Sequence, residues 1–386
     1  MYCPRVCLIS HAYLEKSYRS KLNLLAQEFD LTLVSPDKFP SAYGLHQADF
    51  AEDRKYQVEV YPCRFPLGVR TSTRWTLKSR DLSFRQASPD IIHVENEAHS
   101  FSLLQALTLR RWYAPQAKIV IFVWANQRLV GLKGHALNGL ARLMRSGIDF
   151  YISGNSEGRE LLIESGVPAE KIAVIPQTGV DIKYYTPASD KERAALRLEI
   201  GLRASDLVIG FVGRLVEDKG VLDLLQAFKK LREEMRDERL RLLYVGDGAL
   251  KPLLTAQGED VLVASPGDSR KVLPYYRMMD LLVLPSRTLP YWKEQFGRVL
   301  VEAMACGLPV IGSDSGAIRE VIGDSNQIFA EGNVKMLAAK IKEMLSSASE
   351  RANLARRGLE RVASHYSDEQ IAKQTASIYF KLYAKD

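Results

Sequence analysis

What this sequence lacks narrows its chemistry. It has only four cysteines, Cys3, Cys7, Cys63 and Cys306, and none shows metal-ligand spacing. That argues against a disulfide framework or a zinc site and predicts reduced thiols, with Cys306 filling a helix. No apolar run reaches the ~18 residues of a membrane span. The opening "MYCPRVCLIS" turns polar too soon for a signal peptide, so a cytoplasmic protein is expected. Asp-x-Asp occurs nowhere, so a metal held in that way is not expected, and no other cofactor is implied. Gly-Lys-Ser/Thr is missing after the glycine turns, which excludes a P-loop. The nearest dinucleotide fingerprint, Gly246-Asp247-Gly248, has Lys251 in its last place. That argues against a dinucleotide oxidoreductase.

Acid is missing locally as well. Between Glu97 and Asp149 there is no Asp or Glu, yet Arg110, Arg111, Lys118, Arg128, Lys133, Arg142 and Arg145 fall there. A second basic tract, residues 64–85, interleaves cations with Phe65, Trp75 and Phe84. The chain carries +7 overall, and residues 1–187 hold 23 Lys+Arg against 18 Asp+Glu. An anionic partner is implied: phosphates, lipid headgroups or nucleic acid.

At 386 residues the chain exceeds what one core usually organises, so two domains are expected. With 46% apolar and 26% charged residues it is ordinary globular protein. "RVCLIS", "FDLTLVSP", "YQVEVYPC", "DIIHVE", "KIVIFVW", "DFYISG" and "KIAVIPQ" read as strands. "LEKSYRSKLNLLAQE" reads as a helix between the first two. Near-continuous Val/Ile/Leu runs separated by helices mean a parallel sheet covered on both faces. A polar, Pro-containing stretch at 184–190 suits a linker. The pattern then restarts with the strands "DLVIGFVG", "LRLLYVG", "VLVAS", "LLVLPS" and "PVIGS". The expectation is two successive doubly wound α/β domains, over 1–183 and 184–366. Ligands on such sheets sit at the carboxyl ends of strands.

Two constellations carry chemistry. In "IGFVGRLVEDKGVLDLL" (residues 209–225) a strand ends at Gly213, Arg214 and Lys219 follow, and Gly220 opens a helix. A strand, a glycine turn and a helix N-terminus offer backbone N–H groups and a positive dipole to an anion. Two cations nearby suit a diphosphate. In "EQFGRVLVEAMACGLPVIGSDSGAIREVI" (residues 294–322) Glu294 and Glu302 stand eight positions apart, ~80° around a helix. Glu294 is therefore expected in the loop before a helix that starts near Phe296 and Gly297, with Glu302 inside it. Carboxylates repel phosphate and accept strongly from hydroxyls. A ligand with phosphates flanked by hydroxyls is a sugar nucleotide. Glu302 would take the ribose and Glu294 the transferred sugar.

Together with "GDG" (residues 246–248) and "LPYYRMMDLLVLPS" (residues 273–286), these features resemble the retaining glycosyltransferases of family 4. The match covers most of residues 170–325. "VIPQTGVDIKYYTP" is similar to that family's segment entering the linker, with Gln177-Thr178 replacing its asparagine. The resemblance implies a GT-B fold: two Rossmann-like domains facing across a cleft, with a C-terminal helix, 367–386, crossing back to the first. It implies a donor-binding second domain and an acceptor-binding first one, with transfer of a hexose under retention. The default donor is UDP-glucose. The acceptor would be a saccharide or lipid-linked hydroxyl, as in bacterial surface or exopolysaccharide synthesis. Arg214 and Lys219 would neutralise the leaving diphosphate. Gly213, Gly248, Gln295, Phe296, Gly297 and Glu302 would line the donor, with its base near Ser265 and Gly267.

The first half departs from the family pattern. "SHAYLE", with His11, replaces a Gly-Gly loop, and "FVWANQ" puts Asn126 and Gln127 where a histidine is usual. "IIHVENE" offers His93 and Glu95, of which His93 reads as a packed strand residue. His11, Glu95, Asn126 and Gln127 remain the candidates for sugar or acceptor contacts. The tract at 64–85 is expected to draw the enzyme to anionic membranes, where each basic residue adds ~1 kcal/mol. A sugar-nucleotide epimerase of the same architecture is the rival enzyme. A basic nucleic-acid binder would leave the glutamates unexplained, so no nucleic-acid partner is expected.

Overall fold

The structure is a computed structural model. It describes every residue outside 1–2, 42–43, 52–53, 66–74, 80–81, 83, 85–87 and 385–386. Most of the basic tract at 64–85, including Arg70, Arg74, Arg80 and Arg85, lies outside the described residues.

The chain divides into two compact units, Met1–Gly179 with Asp368–Asp386, and Val180–Ser367. Residues 184–190, whose composition suggests a linker, are docked in the second unit. Tyr185 is buried against Tyr276, and Arg277 Nε donates to the Thr186 carbonyl at 3.0 Å.

The first unit holds seven parallel strands: β1 (Arg5–Ile9), β2 (Asp30–Pro36), β3 (Gln57–Tyr61), β4 (Ile91–Glu95), β5 (Lys118–Val123), β6 (Phe150–Ser153) and β7 (Ile172–Val174). Their order is β7-β6-β5-β4-β1-β2-β3, doubly wound about β1 and β4. Each is one of the seven apolar runs, and β4 is buried from end to end. Helices α1 (Ser20–Leu25), α2 (Phe101–Tyr113), α3 (Gly131–Met144) and α4 (Ser156–Glu164) belong to this unit. The last helix (Asp368–Tyr383) also packs here, and Tyr379 meets Phe29 edge-on at 5.3 Å.

The long helix expected over "LEKSYRSKLNLLAQE" is instead two 3-10 turns, Ala12–Leu14 and Lys16–Tyr18, followed by the six-residue α1. Two cations in this stretch are buried. Arg19 turns inward, its Nε donating to the Tyr13 carbonyl at 2.8 Å, and Lys21 is fully enclosed. Trp75 and Phe84, aromatics of the basic tract, are likewise buried in the core and are not surface residues.

The second unit repeats the plan with six parallel strands. These are β8 (Leu207–Val212), β9 (Leu240–Val245), β10 (Val261–Ala264), β11 (Leu281–Leu284), β12 (Val310–Ser313) and β13 (Ile328–Phe329). The order is β10-β9-β8-β11-β12-β13. The two-residue β13 is too short to register as a sequence pattern. Two helices matter below: Val221–Met235, which follows β8, and Arg298–Ala305, between β11 and β12.

Candidate active site

The carboxyl ends of β8, β9, β10 and β11 carry the residues singled out from the sequence. Lys219 closes a 3-10 turn, Glu217–Lys219, and Gly220 then starts the helix Val221–Met235. Gly220 has φ +65°, and a Cβ there would lie 1.9 Å from the Pro285 carbonyl. Only glycine lets the helix N-terminus press this closely on the end of β11. Lys219 is thereby held beside the loop that follows β11.

That loop carries Glu294. Lys219 Nζ donates to Glu294 Oε2 at 2.6 Å, and Ser286 Oγ donates to the same oxygen at 2.8 Å. The Lys219 ammonium also sits over the Trp292 ring, 4.4 Å from its centroid. The backbone of Glu294 is pinned from below: Ala317 N–H donates to its carbonyl at 2.9 Å. At Gly316, φ +53°, a Cβ would stand 2.0 Å from that carbonyl. Glu294 is thus 7% exposed and fixed by three elements, which no isolated loop acid would be.

Glu302 lies in the middle of the helix Arg298–Ala305, whose N-cap is Gly297 at φ +79°. It is not an exposed helix acid. At 7% exposure it accepts from the Tyr276 hydroxyl at 2.8 Å and from Arg298 Nε at 2.7 Å. Arg214, following Gly213 at the end of β8, pairs with Asp218 at 3.1 Å. Ser265 Oγ donates to the Gly246 carbonyl at 2.7 Å, tying the exposed end of β10 to that of β9. Gly248 and Gly267 occupy turns on the same edge, both at positive φ. Phe296 is buried and meets Tyr366 edge-on at 5.7 Å, while Gln295 beside it is half-buried.

The structure therefore brings Lys219 and Glu294 together and sets Arg214 and Glu302 in separate clusters of their own. Sequence reasoning missed their partners Asp218, Tyr276, Ser286, Trp292 and Arg298. Ser286 had a signal, as a polar residue ending the apolar run "LLVLPS"; Trp292 had one as an aromatic in a polar loop.

In the first unit the four candidates have separate surroundings. Glu95 is enclosed: the Tyr13 hydroxyl donates to Oε1 at 3.0 Å, and Gln177 Nε2 donates to Oε2 at 2.8 Å. Lys21 Nζ, 3.5 Å from Glu95 Oε1, donates to the Gln177 carbonyl at 2.7 Å. Gln177, where the family segment has asparagine, is a hub of this buried network and also receives Trp124 Nε1 at 3.0 Å. His11 is wedged 4.1 Å from the Phe39 ring, and burial holds its pKa down to about 4. Asn126 is buried and donates to Glu157 at 3.2 Å; Gln127 is half-buried. Glu97 Oε1 accepts from the Trp124 and Ala125 N–H groups, both at 3.0 Å. Burial raises its pKa to about 7 against those two donors. His93 is interior, with Nδ1 2.6 Å from the Tyr379 hydroxyl.

Among the described residues no group of three or more His, Cys, Asp or Glu is placed to hold a metal. No described helix is long and apolar enough to cross a membrane.

Comparison with known proteins bears on the family and the fold. The family "Glycosyl transferases group 1" matches residues 192–361, and "Glycosyl transferase 4-like domain" matches residues 22–178. A D-inositol 3-phosphate glycosyltransferase of Xylanimonas cellulosilytica is 29% identical over 242 residues, 59% of this chain and 55% of that protein. Spore coat protein SA of Bacillus subtilis is 33% identical over 221 residues, 53% of this chain and 57% of that one. The matched part of the chain spans about half the length of these curated relatives. Among solved structures, Anabaena HepE in complex with UDP superposes with a TM-score of 0.74 at 20% identity, covering 98% of this chain and 100% of that one. That likeness establishes the fold. Two doubly wound units, each matched by its own glycosyltransferase domain, place this chain in the group 1 glycosyltransferases of GT-B fold.

Proposed function

We propose that the protein transfers a hexose from a nucleotide sugar, with retention, to a hydroxyl of a saccharide or lipid-linked acceptor. The second unit would bind the donor and the first the acceptor. The observation that carries this reading is the Lys219–Glu294 contact, 2.6 Å between residues 75 positions apart. It joins a cation and an acid at the N-terminal end of a fifteen-residue helix, on the ligand-binding edge of a parallel sheet.

The pair suggests how donor binding is coupled to sugar positioning. A diphosphate arriving at Lys219 competes with Glu294 for the ammonium. Glu294, displaced from its cation, turns its acceptor capacity to a hydroxyl of the transferred sugar. Ser286 keeps the carboxylate in place during the exchange, and Trp292 keeps the ammonium over its ring face. Arg214 supplies the second cation once drawn from Asp218. Glu302, oriented by Tyr276 and Arg298, accepts from the ribose hydroxyls, and the base lies against the backbone of Ser265 and Gly267. On the acceptor side His11, Asn126 and Gln127 are the candidate groups. Glu95 is excluded, because both its oxygens are committed inside the first unit.

In the transfer step the acceptor oxygen bonds to the anomeric carbon as the carbon–oxygen bond to the diphosphate breaks. The acceptor proton passes to the departing phosphate oxygen on the same face of the sugar, and the nucleoside diphosphate leaves. Negative charge grows on that diphosphate, and Lys219 and Arg214 stabilise it there more than in the ground state. The chemistry written this way asks for no metal.

UDP-glucose is the first donor to try, since the Anabaena neighbour has been crystallised with it. A thermal-shift panel of UDP-, GDP- and ADP-sugars tests the reading, because a ligand at 100-fold its Kd adds about 2.7 kcal/mol. One donor should stabilise the wild type and fail to stabilise Lys219→Ala. Stabilisation by none of them, or equal stabilisation of the variant, overturns the proposal. The anomeric configuration of the product, read by NMR, decides retention.

A further inference from the structure

The helix α3 and the loop before it turn apolar residues outward. Val130 is 79% exposed, Leu132 92% and Leu143 80%, and Leu129 is also exposed. Leu132 and Leu143 are eleven positions apart, so they fall within ~20° of each other around the helix. Ala136, between them on the same stripe, is exposed as well. An adjoining face, roughly 60–120° around the helix, holds it down through Met144 and Leu140, which pack in the core of the first unit. Outward leucines on a helix already anchored by its inner face do nothing for the fold of this unit, and large exposed apolar patches mark interaction sites.

Charge tells what covers them. The stripe lies within the stretch from Glu97 to Asp149 that holds no acid and seven cations. Arg142 and His135, both exposed, flank the stripe on one side. Arg128, just before it, pairs with Glu164 of α4, which limits its contribution. A protein interface built on leucine would be matched by an equally apolar partner and gains nothing from the exposed Arg142 beside it. A surface with an apolar interior and anionic headgroups satisfies both features at once: leucines enter the headgroup–acyl boundary while cations stay among the phosphates.

We propose that α3 and residues 129–130 are the element by which this protein docks on an anionic lipid bilayer. The element starts at the carboxyl end of β5, beside the strand ends where a doubly wound sheet receives its ligand. A bilayer held there presents lipid-borne hydroxyls to the acceptor side. The proposal moves the docking surface away from the tract at 64–85, whose Trp75 and Phe84 are interior. It stands or falls independently of the transfer reading.

The test is flotation of the full-length protein with vesicles of phosphatidylcholine alone and of phosphatidylcholine with about half phosphatidylglycerol. The expected result is binding to the anionic vesicles only, weakened by added salt. Leu132→Gln with Leu143→Gln should lower the partition coefficient at least about tenfold. Arg142→Gln should lower it about threefold or more, with melting temperatures unchanged in every variant. Three results would overturn the proposal. Wild type could fail to float with anionic vesicles. The double leucine variant could float as well as wild type. Or the leucine face could prove to join two copies of the chain, with a wild-type dimer that the double variant abolishes and no lipid binding by either.

Discussion

Each unit contains a lysine–glutamate ion pair, and the two pairs differ in nearly everything but composition. Lys21 and Glu95 lie 3.5 Å apart with side chains 2% and 0% exposed. Lys219 and Glu294 lie 2.6 Å apart with 15% and 10% exposed. The first pair is enclosed by Tyr13 and Gln177, which take up its remaining hydrogen bonds; it fixes the interior of a sheet that has replaced its expected helix with turns. The second stands at the carboxyl edge of its sheet, held by Ser286 and Trp292, where the proposed diphosphate would meet the ammonium. A buried pair is costly to break and has little freedom to act, whereas a pair at a strand end can exchange partners.

Breaking each pair should therefore be felt in different measurements. The largest effect is expected at the carboxyl edge. Lys219→Ala or Glu294→Ala should lower kcat by about 10²–10³-fold or more, the scale of losing one preorganised charge contact in the transition state. Stability should fall by about 1–3 kcal/mol, less than for the enclosed pair, because these side chains keep some contact with water. If either variant kept wild-type turnover with the donor identified by thermal shift, the catalytic half of the comparison would fail. The buried pair should behave in the opposite way. Glu95→Ala should cost about 3–5 kcal/mol of stability by leaving Lys21 uncompensated, measured by urea unfolding. Turnover per folded molecule should stay near wild type, and a Glu95 variant that folds normally but loses activity would make the first unit's pair catalytic after all.

Glu302 sharpens the contrast, since it is as buried as Glu294 but held by Tyr276 and Arg298. Glu302→Ala should cost about 1–3 kcal/mol through the unpaired tyrosine hydroxyl and raise the donor KM about tenfold with little change in kcat. A fall in kcat with KM unchanged would place Glu302 with Glu294 in the reacting cluster and not at the ribose.

The strands of the two sheets, except β13, were legible because strands covered on two faces read as unbroken apolar runs, as "KIVIFV" and "LRLLYV" do. The placement of Lys219 at a helix start, Glu294 in a loop and Glu302 inside a helix was legible because strand, glycine turn and helix start leave a pattern in local sequence. What stayed hidden depends on partners far along the chain. The burial of Arg19 and Lys21 cannot be read from local sequence, and only Tyr13, Glu95 and Gln177 explain it. Glu95 looked like a sugar-binding acid for the same reason. The outward leucines of α3 could not be told from core leucines, because a helix pattern gives a stripe without saying which side is covered.

The smallest effect also lies in the first unit, where two partly buried groups oppose each other with pH. Burial raises Glu97 from 4.5 to about 7, so its stabilisation is fully present below pH 4.5 and is lost as pH rises towards 7. Burial lowers His11 from 6.5 to about 4, so its stabilisation is present above pH 6.5 and is lost as pH falls towards 4. Over the shared window the two slopes have opposite signs and largely cancel. Glu97→Gln keeps an oxygen for the Trp124 and Ala125 N–H groups and should stabilise the protein by about 2 kcal/mol more at pH 8 than at pH 5. His11→Phe, beside Phe39, should do the reverse by a similar amount. Urea unfolding of both variants at the two pH values reads the difference directly. Parallel shifts in both variants would mean that these two groups do not set the first unit's response to acid.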